Sequence, residues 1–214
     1  MNNQGKLIVI EGIDGAGTTT QSEYICSNLK NVGIKAYQTA QPSRFPVGVM
    51  IRSILQKDLM NVNGAPPGFD TMSLLFAADR AYQQAEEIIP QLEKGVTVIC
   101  DRYVYSSVFY QSVSSSNSED SIMTWIKNIN KYIRKPDLVI YLKIDERESF
   151  RRRGERGEKE EIFEKTEFQK KLITLYDRID EIFKDDNILT IDATLPVETI
   201  GNKALAAINS LPGN

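Results

Sequence analysis

The chain of 214 residues is predicted to be an α/β protein with a five-stranded parallel sheet and helices on both faces. Short apolar runs alternate with longer segments of helical periodicity, which is typical of parallel strands joined by helices. The first apolar run, residues 7–10, leads into a glycine-rich turn and a hydroxyl-rich helix start. The length suits one domain with a sizeable core, so we expect a single domain over residues 1–214.

Composition excludes several classes of function. The formal net charge is -3, which gives no support for bulk binding to nucleic acid, and histidine chemistry is excluded because the chain has no histidine. Cys26 and Cys100 lie in apolar segments and are interpreted as buried thiols in a reducing compartment. The polar N-terminus lacks a signal-peptide core and no stretch is long enough to span a membrane, so we expect a cytoplasmic protein.

The glycine-rich turn resembles a phosphate-binding loop. Its consensus, G-x-x-x-x-G-K-[ST], is matched at Gly12, Gly17 and Thr19, but Thr18 occupies the lysine position. The main-chain amides and the helix dipole attract anions without the lysine. One missing donor at a transition state costs on the order of 3 kcal/mol unless it is replaced. A glycine-rich turn that binds no ligand is the alternative interpretation.

The first half of the chain continues with alternating elements. We expect helices over residues 18–32, 49–55 and 70–94, and strands over residues 34–39 and 96–100. Gly33 and Gly95 provide helix stops. The long third helix is expected to bury one apolar stripe at helical spacing, formed by Leu75, Ala78, Tyr82, Ala85, Ile89 and Leu92.

The second half repeats the alternation. We expect strands over residues 138–142 and 188–191 and helices over residues 121–133, 164–183 and 197–208. The stripe of the second of these helices consists of Phe168, Leu172, Leu175, Tyr176 and Ile179. These segments complete the five predicted strands.

Three places outside the loop are candidates for a site. Asp101 and Arg102 follow a strand at the sheet edge where ligands bind. Phe76 and Arg80 share a helix face one turn apart, but core packing and a surface charge are the simpler interpretations. The densely charged residues 145–167 carry four arginines; this segment is either a solvated helix face or a mobile cover that closes onto phosphates.

Several segments together resemble the thymidylate kinase family. They are EGIDGAG at residues 11–17, LLFAADR at 74–80, DRYVYSSVFYQ at 101–111, KPDLVIYL at 135–142 and ILTIDA at 188–193. No single segment is decisive, but their order and spacing are specific. The resemblance implies a P-loop kinase core, a lid at about residues 146–165, and transfer of the γ-phosphoryl group of ATP to dTMP with Mg²⁺ to give dTDP.

The resemblance also implies roles for loop and metal residues. The ATP phosphates are expected to lie on the amides of the loop, which comprises Gly12, Ile13, Asp14, Gly15, Ala16, Gly17, Thr18 and Thr19. Thr19 and Asp101 are expected at the metal. Asp14 is expected to contact the sugar 3′-hydroxyl and to orient the acceptor. Family members are usually homodimers, and the long helix from Asp70 is a plausible contact face.

The remaining implied roles concern dTMP itself. Arg102 and Arg44 are expected to bind its phosphate, although the segment around Arg44 departs from the family pattern. Phe76 is expected to stack on thymine and Arg80 to donate to its O4 atom. The pyrimidine N3 side is expected to face Ser107 or Gln111, and the sugar 2′ position is expected to contact Tyr110.

The catalytic arginine of the family lies either in the P-loop or in the lid. Because Gly15 occupies the P-loop position, the sequence resembles the lid-arginine type, with Arg153 and Arg156 as first candidates and Arg152 next. Two alternatives remain open. One is a kinase for another nucleoside monophosphate or for a deoxynucleoside, and the other is a catalytically weak nucleotide-binding homologue.

Overall fold

The computed structural model describes residues 5–115, 118–156 and 166–212. Within them, five parallel strands form one sheet in the order β2-β3-β1-β4-β5. The strands are β1 (Leu7–Glu11), β2 (Ala36–Ala40), β3 (Thr97–Asp101), β4 (Leu138–Lys143) and β5 (Ile188–Asp192). The predicted α/β class and five-stranded parallel sheet are confirmed.

The helices connect the strands in turn. They are α1 (Thr18–Asn31), α2 (Pro46–Leu55), α3 (Phe69–Gln83), α4 (Ile89–Glu93), α5 (Val104–Ser114), α6 (Glu119–Ile129), α7 (Glu146–Arg156), α8 (Thr166–Tyr176), α9 (Ile179–Ile182) and α10 (Val197–Asn209). A π-helical turn, Gln84–Ile88, joins α3 to α4. Helix α5 was not predicted, because its buried face mixes polar and aromatic residues.

The core lies on both faces of the three central strands. Every residue of β1 and β3 is buried, as is every residue of β4 except Lys143. Helix α1 packs against α10, whereas α5 packs against α6 and α8. Both cysteines are buried free thiols, as expected. In the described ranges, no helix combines the length and apolarity needed to cross a membrane.

The predicted stripe of the long helix is wrong in its middle part. Ala78, Tyr82 and Ala85 are exposed, and the buried face instead carries polar residues such as Arg80 and Gln83. Periodicity identified the helix but not its buried side, because the polar residues there bond to one another and to neighbouring elements. The stripe predicted for the helix at 164–183 is confirmed at Leu172, Leu175 and Tyr176 of α8 and at Ile179 of α9, which are all buried.

The parallel register brings the carboxyl ends of the central strands together. Asp101 at the end of β3 pairs in register with Ile10 of β1 and with Ala40 of β2. The loops that follow these three strands therefore meet at one edge of the sheet, where open parallel sheets bind ligands.

Candidate active site

The loop between β1 and α1 has the backbone of an anion-binding turn. Gly15 and Gly17 have φ angles of 85° and 89°, a left-handed conformation that residues with a Cβ atom adopt only at a cost. Gly17 is the N-cap of α1, and no side chain of the described residues caps this end. The first amides of α1 are therefore available to an anionic ligand.

Thr19 and Asp101 form a pair that fits a hard divalent cation. Thr19 Oγ1 donates to Asp101 Oδ2 at 2.5 Å, and Asp101 Oδ1 is buried without a hydrogen-bond partner in the described part of the chain. Among those residues, no group of three or more His, Cys, Asp or Glu side chains is arranged to hold a metal ion. Mg²⁺ commonly takes one or two protein oxygens and completes its shell with water and phosphate, so this donor set is sufficient.

A cavity of about 340 Å³ opens beside this loop. Its volume lies within the range of small-molecule sites. Its walls combine loop residues with side chains from β3, α2, α3 and α5. The predicted site residues that line it are Asp14, Gly15, Gly17, Thr18, Thr19, Phe76, Arg80, Asp101, Arg102, Ser107, Tyr110 and Gln111. The fold thus brings most of the predicted residues to one cavity.

Arg102 is held at the centre of this cavity by several partners. Its Nη2 atom donates to Asp14 Oδ1 at 2.5 Å, and Nη1 donates to the Gly12 carbonyl at 2.8 Å and to Tyr110 Oη at 3.2 Å. Its φ of 65° is left-handed, which is unusual for a residue with a side chain and often marks a functional site. Burial opposes its charge, but Tyr110 and Asp14 raise its pKa well above the usual value.

Glu11 fixes the turn that carries Arg102. This carboxylate is fully buried and accepts hydrogen bonds from the amides of Tyr103 and Ser106, the Ser106 hydroxyl and the Tyr176 hydroxyl. Burial raises its pKa, although these hydrogen bonds oppose the shift. Sequence reasoning missed this role. An acidic residue at the end of a strand buried on both faces was the available signal.

Arg80 is buried, with 1% of its surface exposed, and is fixed on three sides. Nε donates to Gln41 Oε1 at 2.9 Å, Nη1 to Asn130 Oδ1 at 2.5 Å and Nη2 to Ser107 Oγ at 2.7 Å. Burial lowers the pKa of its guanidinium group. The surface-charge interpretation of Arg80 is therefore wrong.

Gln111 and Phe76 line the same cavity near Arg80. The Gln111 side chain is buried, and neither its amide nitrogen nor its amide oxygen has a hydrogen-bond partner in the described ranges. A buried polar group without a partner is costly and is often satisfied by a ligand or by water. The amide can both donate and accept, which is what a bidentate contact to the edge of a base requires.

Arg44 lies outside this cavity. Its Nη2 atom is 3.1 Å from Glu87 Oε1, and most of its side chain is exposed. Arg52 of α2 lines the cavity instead, with its guanidinium group donating to the Pro42 and Ser43 carbonyls. Sequence reasoning missed Arg52, because only the bend of residues 41–45 shows which arginine turns inward.

A second cavity of about 300 Å³ lies on the other side of the loop. It is lined by Gly15, Ala16, Gly17, Thr20, Gln21, Arg152, Ala193, Leu195, Val197 and Ile200. Arg152 is braced at its rim, where Nε donates to Glu148 at 2.7 Å and Nη2 donates to the Ala193 carbonyl at 2.9 Å. The apolar walls and the flat guanidinium group suit a planar heterocycle.

Helices α7 and α8 each contact the loop through a polar side chain. Ser149 Oγ donates to the Asp14 carbonyl at 2.7 Å, and Gln169 Nε2 donates to Asp14 Oδ2 at 3.0 Å. A Cβ atom at Gly15 would lie 2.8 Å from the Ser149 carbonyl oxygen and 3.4 Å from Arg153 Cγ. Arg153 thus approaches the loop through the space that glycine leaves.

Two predicted features lie partly outside the described residues. The Arg156 side chain is among them, as is the part of the predicted lid at residues 157–165. Gly12 and Ile13 belong to the loop but not to the set that lines the first cavity, and Gly12 contributes its carbonyl to Arg102.

Fold and site define a class of enzyme. A parallel sheet, a glycine-rich loop before α1, a hydroxyl–carboxylate pair and two cavities flanking the loop are the features of a P-loop nucleotide kinase.

Comparison with known proteins defines the family. The model of the thymidylate kinase family matches residues 10–204. A probable thymidylate kinase of Pyrococcus abyssi is 35% identical, with 96% of each chain covered. A thymidylate kinase of Plasmodium falciparum is 34% identical, covering 97% of this chain and 91% of the relative. A solved thymidylate kinase structure from Candida albicans has a TM-score of 0.82 and 25% identity, covering 97% and 92% of the two chains. The chain belongs to the thymidylate kinase family.

Proposed function

We propose that this enzyme transfers the γ-phosphoryl group of ATP to dTMP, giving dTDP and ADP for dTTP synthesis. The observation that carries the proposal is that loop residues Thr18 and Thr19 line the same cavity as the side chains expected at the base. A nucleotide whose base lies near Phe76 can therefore direct its phosphate toward the loop. Such transfer relies on alignment and on positive charge more than on covalent chemistry.

The acceptor phosphate is assigned to Arg102 and Arg52. Both side chains line the cavity, and a guanidinium group can bind a phosphate in bidentate fashion. Arg52 replaces Arg44 in this role, because Arg44 is paired with Glu87. The carboxylate of Asp14 accepts a hydrogen bond from the sugar 3′-hydroxyl. Through its ion pair with Arg102, it also keeps that arginine aligned.

The base is assigned to Phe76, Arg80 and Gln111. Phe76 stacks on thymine, and the second hydrogen of Arg80 Nη1 is directed to O4. Gln111 suits the N3 side better than Ser107, because the Ser107 hydroxyl already accepts from Arg80 whereas the Gln111 amide has no partner in the described ranges. Tyr110, held against Arg102, crowds the sugar 2′ position.

The donor is assigned to the loop and to the second cavity. The loop amides hold the ATP phosphates, and the adenine lies between Arg152 and the apolar walls. Thr19 and Asp101 hold the metal ion. Mg²⁺, when bound, supplies positive charge that neutralises the phosphate oxygens and helps to align them.

We assign the role of the missing loop lysine to an arginine of the lid. Arg153 is the first candidate, because its side chain lies against Gly15, and Arg156 is the second. We expect Arg153→Ala to lower kcat by about 100-fold, the usual effect of losing one transition-state donor. Arg151→Ala is the matched control, because Arg151 lies on the same helix and pairs with Glu148 at the surface. Unchanged kcat in both Arg153→Ala and Arg156→Ala would contradict the assignment.

Acceptor specificity tests the function directly. ADP release from ATP and Mg²⁺ is measured with dTMP, dUMP, dCMP, AMP and thymidine at equal concentrations. We expect the highest kcat/KM with dTMP, because thymine offers an O4 acceptor to Arg80 and a methyl group to the apolar side chains of the first cavity, which include Leu55 and Phe76. A higher value with thymidine or AMP would exclude the proposed acceptor.

A catalytically weak homologue is the second candidate function. It is favoured by Thr18, a nearly buried residue at the lysine position. This function would be established if dTMP turnover equalled the background rate in buffer without enzyme while calorimetry still detected dTMP binding. Thr18→Lys separates the two cases, because a slow kinase should gain kcat whereas a non-catalytic binder should not.

A homodimer is proposed for the assembled enzyme. The outward face of α2 and α3 exposes large apolar side chains, including Leu74 at 53% and Tyr82 at 45%, together with Val49 and Met50. Exposed apolar patches mark interfaces. Leu74→Glu should therefore yield a monomer in sedimentation.

The chain is further proposed to act in the cytoplasm as one catalytic unit over residues 1–214, with a lid at about 146–165.

A further inference from the structure

Helix α3 and the π-helical turn bury an unusual row of polar side chains. Arg80, Gln83 and Glu87 lie on the inward side, with 1%, 0% and 4% of their surfaces exposed. A buried helix face normally carries apolar residues, and buried charges are rare unless they are paired. π-helical turns inside helices frequently occur at functional sites. The row therefore calls for an explanation beyond packing.

Glu87 fixes one end of this row. Its carboxylate accepts from Tyr37 Oη at 2.7 Å, from Thr39 Oγ1 at 2.5 Å and from Gln83 Nε2 at 3.0 Å. An ionised carboxylate can only accept hydrogen bonds. The Gln83 amide must therefore direct its nitrogen toward Glu87 and its oxygen away from it, and the Ala40 carbonyl, which accepts from the same Nε2 atom at 3.1 Å, favours the same orientation. Arg44 balances the carboxylate charge from the surface side at 3.1 Å.

The orientation of the Gln83 amide favours one orientation of the Gln41 amide. Gln83 Oε1 accepts from Gln41 Nε2 at 2.9 Å, so the oxygen of Gln41 must face the other way. That oxygen accepts from Arg80 Nε at 2.9 Å. Both Gln41 and Arg80 line the first cavity. A single chain of oriented hydrogen bonds thus runs from an edge strand to the side chain assigned to the base.

We propose that Glu87 is a positioning residue that fixes the donor direction of Arg80 through Gln83 and Gln41, and thereby sets discrimination at position 4 of the pyrimidine. The proposal rests on the proposed function. With Nε, Nη1 and Nη2 all engaged by protein acceptors, the guanidinium plane cannot rotate, and the remaining Nη1 hydrogen keeps one direction. A fixed donor accepts a carbonyl at position 4 and rejects an amino group.

The neutral variant Glu87→Gln removes the charged partner that holds Gln83 in this orientation and leaves the contact of Gln83 Nε2 with the Ala40 carbonyl. A glutamine at position 87 can direct its nitrogen inward, and the orientation of the Gln83 amide then depends on the 3.1 Å contact of Nε2 with the Ala40 carbonyl, so reversal of that amide becomes less costly. If the Gln41 amide also reverses, its nitrogen meets Arg80 Nε, donor against donor, and the guanidinium group must move. Binding of the base is then weakened, whereas binding of phosphate at the loop is unchanged.

The experiment compares Glu87→Gln with Glu86→Gln. Glu86 is exposed on the same turn, so the two variants share chemistry, helix position and charge change. For Glu87→Gln we expect kcat/KM for dTMP to fall about tenfold, the effect of losing one hydrogen bond to a charged group, mainly through KM. The ratio of dTMP to dCMP activity should fall as well, while KM for ATP stays unchanged. Glu86→Gln should match the wild type.

A second background separates positioning from stability. In Arg80→Lys, Glu87→Gln should have no further effect on the dTMP to dCMP ratio, because the two residues act through one path. A Glu87→Gln variant that loses thermal stability but keeps its KM and its ratio would overturn the proposal. So would an equal effect in the Arg80→Lys background. Absence of dTMP turnover in the wild type would overturn the proposed function itself, and with it the assignment of Glu87 to base selection.

Discussion

Arg102 Nη2 lies 2.5 Å from Asp14 Oδ1, joining the turn after β3 to the glycine-rich loop after β1. Both side chains are partly exposed to the cavity, so the pair is accessible to a ligand. The geometry places a cation and an anion side by side, and we have proposed the cation for an acceptor phosphate and the anion for a hydroxyl group. Each partner also restricts the other, because the left-handed turn at Arg102 allows little freedom.

Breaking this pair should lower catalysis more than binding. We expect Asp14→Asn to lower kcat about 100-fold, because the neutral amide no longer aligns Arg102 and misplacement of about 1 Å has effects of that size. Steady-state kinetics with dTMP measure it. Asp137→Asn is the control, because it removes the carboxylate partner of Arg134 at a place that lines neither cavity. Equal losses in the two variants would contradict the expectation.

The hydroxyl–carboxylate pair should set the magnesium requirement. Asp101→Asn removes the charge that faces the proposed metal, so the Mg²⁺ concentration for half-maximal activity should rise at least about tenfold, as loss of a metal partner typically does. A Mg²⁺ titration at saturating ATP and dTMP tests this. Chelation of divalent ions should abolish turnover in the wild type. An unchanged Mg²⁺ titration in Asp101→Asn would refute the assigned metal site.

Gly15→Ala should destabilise the protein by more than its backbone angle explains. A left-handed alanine costs roughly 1–2 kcal/mol, and the new Cβ would lie 2.8 Å from the Ser149 carbonyl oxygen. Gly64→Ala is the matched control, because Gly64 has a φ of 71° and no atom of the described residues lies within 4 Å of its Cβ position. In urea denaturation, Gly15→Ala should therefore lose more unfolding free energy than Gly64→Ala. Equal losses would show that α7 can move away from the loop at little cost.

Glu11 should give the stability a defined dependence on pH. Burial raises its folded pKa above the usual 4.5, so the native state binds this proton more tightly than the unfolded chain. The group's contribution is therefore greatest below pH 4.5 and decreases as the pH rises through the folded pKa. The unfolding free energy of the wild type relative to Glu11→Gln should thus decrease between pH 4.5 and pH 7.5. An increase over that range would show that the carboxylate is stabilised when ionised.

Much of the fold could be predicted from the sequence because its signals are local. The apolar runs of β1, β3 and β4 are buried on both faces, and such strands have few other interpretations. Glycines at positions 15 and 17 predicted the loop because only a left-handed turn requires them. Helix α5 was missed for the opposite reason, since its buried serines and glutamine carry no local signal of burial.

The site residues divide in the same way. Asp101, Arg102 and Thr19 could be located from the sequence, because each directly follows a predicted strand or the loop itself. The sequence could not show which of Arg44 and Arg52 lines the cavity. The answer depends on how residues 41–45 bend and on the ion pair between Arg44 and Glu87. The inward side of α3 was likewise misassigned, because its polar residues are satisfied by partners far away in the chain.

The sequence by itself determined the class of fold, the glycine-rich loop before α1 and the family, because these follow from short segments whose residue types have one physical use. The tertiary structure alone decided which charged side chains reach the cavity, which pair with one another, and how Glu87 is connected to Arg80. The physical reason is that a buried polar side chain takes its orientation from partners brought to it by folding, and those partners lie as far as 165 residues away, as Tyr176 does from Glu11.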